Sequence, residues 1–94
     1  MRQAFLATAH IEGTRHGAFT SWNLDEYCAL FDGVPAGDES ARKRTIDWIE
    51  VTGDSAAARA TLIHGEDSFV DYLLLLKVDG NWRISNKVYC RMSA

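Results

Sequence analysis

An α+β domain, with helix and loop first and strands after, is the fold class that three features of the sequence predict. Residues 45–52, 57–64, 69–78 and 82–92 are rich in β-branched and aromatic side chains, and turn signals separate them: Gly53-Asp54, Gly65-Glu66-Asp67 and Asp79-Gly80. One amphipathic helix, over residues 24–31, precedes this block, and such segregation favours α+β over alternating α/β. The chain has 94 residues, which suits one domain.

In chain order, residues 2–9 predict a short helix. Gly13 and Gly17 bracket Thr14-Arg15-His16, read as a turn between short strands holding His10-Ile11-Glu12 and Ala18-Phe19-Thr20. In the 24–31 helix Asn23 is the N-cap, and Glu26 follows three residues later as in a capping box. Leu24, Tyr27, Cys28 and Phe31 share one face, Gly33 stands where a glycine stops a helix, and Pro35 prevents a restart. The four later segments then form a meander.

Asp79-Gly80 is the strongest hairpin signal. A two-residue loop there pairs Lys77 with Trp82, Leu75 with Ile84, Leu73 with Asn86, and Asp71 with Val88 on one face. The other face carries Tyr72, Leu74, Leu76 and Val78 with Arg83, Ser85, Lys87 and Tyr89. Segment 69–78 is thus apolar on both faces and needs two covers. The helices supply one, and the sheet of a partner subunit supplies the second, so a homodimer is expected.

The net charge is −3 and the ten Lys and Arg residues are scattered apart from Arg42-Lys43-Arg44, which argues against a nucleic-acid surface. Cys28 and Cys90 stand in no CxxC or metal-ligand spacing, so neither a disulfide scaffold nor a metal site is expected, and a reducing cytoplasm is. The apolar stretch near the start is too short for a signal peptide, and Tyr72–Leu76 falls far below the ~20 residues of a membrane span. No glycine-rich phosphate loop or nucleophile motif occurs, and no cofactor is expected.

The run from Ser68 to Tyr89, with its Asp79-Gly80-Asn81-Trp82-Arg83-Ile84 hairpin, resembles the ending of the lumazine-binding branch of the nuclear transport factor 2-like superfamily, also described as SnoaL-like or cystatin-like. Ile49 to Arg59 resembles the strand–turn–strand before it, and Gly17 to Trp22 followed by the 24–31 helix also fits. The resemblance implies a cone: a strongly curved antiparallel sheet packed against short N-terminal helices. Such domains usually begin with a long helix across the cone's mouth, and this sequence reads as an N-terminally shortened version spanning residues 1–94.

Asp71 is the carboxylate of most interest, because it interrupts an apolar strand where a general acid or base can be tuned. The competing reading is a strand carboxylate that accepts a bond from Lys87 or Arg91. His10, at the expected rim of the cone, is its candidate partner, and Asn86 a candidate donor to a developing oxyanion. Trp22, Tyr27 and Trp82 are candidate ligand-binding aromatics, although core packing explains aromatics more often, Trp82 especially. His16 reads as a surface turn residue, His64 as a strand end, and Asp47 as a cross-sheet ion-pair partner. Two functions stay open. One is a pocket for a small apolar or aromatic ligand, with acid–base isomerase, dehydratase or cyclase chemistry as its enzymatic form. The other is a non-catalytic homodimerising or protein-interaction domain.

Overall fold

Turn-bounded alternation yields six strands and one short helix among the described residues. The computed structural model describes residues 2–30 and 42–92. A 3₁₀ turn over Arg2–Ala4 leads into β1 (Phe5–Arg15), β2 (Ala18–Asn23), α1 (Leu24–Ala29), β3 (Arg42–Thr52), β4 (Ser55–His64), β5 (Asp67–Val78) and β6 (Asn81–Met92). The strands form one curved, unclosed sheet in the order β2-β1-β6-β5-β4-β3. The β3–β6 meander and the β1–β2 hairpin are antiparallel, and β1 joins them through a parallel pairing with β6.

The helix begins as its sequence dictates. Asn23 Oδ1 accepts from the Glu26 N–H at 2.8 Å, and Glu26 Oε1 accepts from the Asn23 N–H at 3.0 Å, completing the capping box. The helix ends at Ala29 with Leu30 as its C-cap. The expected stop signals, Gly33 and Pro35, and the apolar Phe31 lie outside the described residues.

The helix expected over residues 2–9 is a strand after its first turn. Leu6, Ala7 and Ala9 are good helix formers, but so short a helix is marginal alone. As a strand, the segment buries Phe5 and Ala9 and gains β6 as a backbone partner, so tertiary packing overrides propensity. Ile11 is fully buried, and with Phe5, Ala9 and Leu24 it forms the core, flanked by Trp22, Tyr27, Cys28, Ile84 and Tyr89.

The β5–β6 hairpin departs from the expected register beyond Leu75. Leu75 pairs with Ile84 as expected, but Leu74 pairs with Asn86, leaving Ser85 as an extra residue in a β-bulge. Every later side chain of β6 therefore changes face: Leu73 opposes Lys87, and Asp71 opposes Tyr89. A similar bulge at Asp47 in β3 lets its carboxylate accept from Arg59 at 2.8 Å and Thr61 at 2.6 Å.

The sheet face opposite α1 carries Trp48, Tyr72, Leu74, Leu76 and Val88, all exposed. Trp82, expected in the core, is 40% exposed: it lies two residues after the β5–β6 turn, at the end of the sheet and outside the core cluster.

That turn has φ of 51° at Asp79 and 80° at Gly80, as a type I′ hairpin requires. A Cβ on Gly80 would meet no neighbour, so the cost of substitution is backbone strain alone. Gly80→Val is expected to destabilise by about 1–3 kcal/mol, seen as a lower thermal midpoint. An unchanged midpoint would show that the turn relaxes to another type.

Candidate functional site

The β1–β2 hairpin turns tightly at His16 and Gly17, with φ of 52° and 79°. Between this tip, α1 and the surface of β4–β6 lies a cavity of about 670 Å³. Strand alternation aims Asp71, Lys87 and Tyr89 into it, and the helical spacing of α1 brings Tyr27 across from them.

The floor is polar. Lys87 Nζ lies 3.4 Å from Asp71 Oδ2 and donates to the Tyr27 hydroxyl at 3.0 Å. The Lys87 and Asp71 side chains are only 17% and 19% exposed. Lys87 also lies over the Tyr27 ring at 5.2 Å from its centroid. Burial presses the Lys87 ammonium towards neutrality, but Tyr27 and Asp71 outweigh it through charge and the hydrogen bonds they accept. They hold its pKa above the ordinary lysine value of 10.5, so Lys87 is a cation at neutral pH.

One wall is aromatic. Trp22 stacks on Tyr89, with centroids 6.0 Å apart and planes 13° from parallel. Thr20 Oγ1 donates to the Gly13 carbonyl at 3.1 Å, which spends its only proton, so the Tyr89 hydroxyl donates in its short bond to Thr20. That chain fixes the Tyr89 ring. Leu62 and Phe69, neighbours across β4 and β5, also line it, and Arg15, His16, His64 and Arg91 bring guanidinium and imidazole groups to the lining. Arg91 is held by Asp67 at 2.9 Å and lies over the Phe69 ring.

Of the residues singled out in the sequence, Asp71, Trp22 and Tyr27 line the cavity, and so do His16 and His64, expected only as a turn residue and a strand end. His10, Asn86 and Trp82 do not. His10 is exposed on the face of β1 opposite Ile11, because strand alternation sends neighbours to opposite sides. Asn86 pairs with Leu74 and His10, and the bulge turns it away from the Asp71 row. Its Oδ1 is buried with no hydrogen-bond partner among the described residues. Lys87 and Tyr89 are the residues that sequence reasoning placed on the wrong face. The sequence does offer Lys87 as a donor to Asp71, and the polar pair Ser85-Asn86 interrupting β6 hints at a bulge without revealing which residue is extra.

Among the described residues, no group of three or more His, Cys, Asp or Glu could hold a metal ion, and no helix is long and apolar enough to cross a membrane.

A nuclear transport factor 2-like protein of unknown function from Shewanella baltica is 28% identical, with a TM-score of 0.84 over 100% of this chain and 77% of that one. Another such protein, from Silicibacter pomeroyi, is 27% identical, with a TM-score of 0.85 over 96% of this chain and 75% of that one. A cystatin-like domain of unknown function from Nostoc punctiforme is similar in fold alone, at 16% identity and a TM-score of 0.69, covering 99% of this chain and 64% of that one. No curated protein matches. Residues 1–90 match the family described as "Putative lumazine-binding", and with this fold the chain belongs to that family, within the nuclear transport factor 2-like superfamily.

Proposed function

We propose that this domain binds a small organic molecule in its cavity, over the Asp71–Lys87–Tyr27 centre. One observation carries the reading: an ammonium and a carboxylate, both mostly withdrawn from water, face a hollow whose walls include Trp22, Tyr89, Leu62 and Phe69. Withdrawing two charges costs several kcal/mol per ion (about that order before pairing), and such arrangements concentrate at functional sites. Asp71 is the proton acceptor of this site, with Lys87, itself bonded to Tyr27, rather than His10 as its partner. An isomerase, dehydratase or cyclase step would use these groups, Asp71 taking a proton and Lys87 steadying the oxyanion that forms. The free thiols of Cys28 and Cys90 fit a reducing compartment such as the cytoplasm.

Native mass spectrometry of gently purified protein tests the reading. A copurifying small molecule is expected, retained by the wild type. Asp71→Asn is nearly isosteric and should keep the fold while removing the pH dependence of that molecule's affinity. Identical pH profiles would remove Asp71 from the site, and a ligand-free chain under all gentle conditions would count against binding altogether.

A second reading rests on a separate observation: the uncovered row of Trp48, Tyr72, Leu74, Leu76 and Val88, where Tyr72 and Leu74 are 50% and 56% exposed. A second copy packing sheet to sheet would cover it, and stable interfaces of that kind bury ~1,200 Å² or more in total. Light scattering is expected to give a dimer mass, and Leu74→Asp to shift it to the monomer. A wild-type monomer would reject the dimer.

A further inference from the structure

We propose that the ligand is a flat organic anion, with a hydroxyl or carbonyl at its inner end and a carboxylate-like group at the cavity mouth. This rests on the reading of the cavity as a ligand site and adds the chemical class.

The first argument is charge. The chain as a whole carries −3, yet the charged side chains lining the cavity are Arg15, Lys87 and Arg91 against Asp71 alone, with the imidazoles of His16 and His64 beside them. A hollow whose sign opposes that of the whole protein draws anions in and keeps cations out.

The second argument is where that charge is left unbalanced. On the floor Lys87 and Asp71 neutralise each other. Along the rim Arg91 is neutralised by Asp67. Arg15, on the β1–β2 tip beside His16, pairs with no acid among the described residues. The surplus therefore sits at the mouth. An anion placed on the floor would reach Lys87 only by crowding the Asp71 carboxylate, whereas a neutral hydroxyl or carbonyl can bond there: two of the three Lys87 donors serve Tyr27 and Asp71, and one remains.

The third argument is shape. The lining also holds the stacked Trp22 and Tyr89 together with Leu62 and Phe69. Aromatic and aliphatic walls of this kind suit a planar ring, and about 670 Å³ is the volume of a site for a molecule of drug-like size. A wholly apolar ligand would cover the Lys87–Asp71 pair without replacing the water bonds it loses, which disfavours it.

Isothermal titration with two nearly isosteric probes, one charged and one neutral, tests this: 6-hydroxy-2-naphthoate and 6-hydroxy-2-naphthamide. The acid is expected to bind about tenfold more tightly, as one added charge contact near a protein surface would give. The double variant Arg15→Gln/His16→Asn removes the mouth charge while keeping a residue that tolerates positive φ at the turn. It should shrink the preference for the acid over the amide to about twofold or less. Circular dichroism confirms that the variant is folded. Equal wild-type affinities for acid and amide would overturn the anion while leaving the ligand site standing. A preference that survives the double variant would overturn the mouth placement. Binding of neither probe would overturn the proposal and count against the site itself.

Discussion

Gly13→Ala is expected to lower stability by about 3 kcal/mol, at the upper end of what overpacking costs, and to dismantle one wall of the cavity. A Cβ at Gly13 would stand 2.6 Å from the Tyr89 carbonyl oxygen and 2.8 Å from Cε1 and Cζ of the Tyr89 ring. Neither neighbour can yield easily. The carbonyl belongs to β6 at the point where it pairs with β1, and Gly13 opposes Tyr89 directly in that pairing. The ring is clamped by the Trp22 stack and by its bond to Thr20. The strain therefore moves either the β1–β6 seam or the Tyr89–Trp22 wall. Thermal denaturation measures the first, and the emission of Trp22, isolated by replacing Trp48 and Trp82 with Phe, measures the second. If both are unchanged, the seam has room that the geometry does not indicate, and Gly13 has no special role in the site.

Lys87→Met is expected to cost about 2–3 kcal/mol, somewhat below the usual penalty for orphaning one member of a fully buried pair because both groups keep some contact with water. Methionine fills the stem of the lysine, so the loss is electrostatic: the Asp71 carboxyl loses its ion-pair partner, and the Tyr27 hydroxyl loses the Lys87 donor. Adding Asp71→Leu should restore most of the stability, because removing both charges also removes the cost of keeping them from water. Alkali gives an independent check. The folded pKa of Lys87 lies above 10.5, so its contribution is complete below that value and disappears as pH rises through the higher, folded one. The wild type should lose stability in that window, and Lys87→Met should not show this component. Urea denaturation at neutral and alkaline pH measures both effects. Equal alkaline losses in the two proteins would mean that Lys87 is not coupled to Asp71 and Tyr27.

Local chemistry determined a large share of this protein. The capping box of Asn23 and Glu26 needs only four consecutive residues, and Asp79-Gly80 needs only the preference of two residues for positive φ. The β3–β6 meander followed from turn residues between β-rich runs, and the doubly apolar β5 from alternation alone. Asp71 stood out because a carboxylate in an apolar strand demands a partner. What such reasoning cannot reach is any feature set by which strand lies beside which. Residues 5–11 are strand because β6 offers them hydrogen bonds and α1 covers Ile11, neither of which is visible from their own sequence. The bulge at Ser85 inserts one residue, and with a side-chain period of two, one residue is enough to exchange the faces of β6. That exchange turns Lys87 and Tyr89 towards Asp71 and Asn86 away from it. The composition of the site was present in the sequence, but which of its members meet was decided by the pairing of β5 with β6.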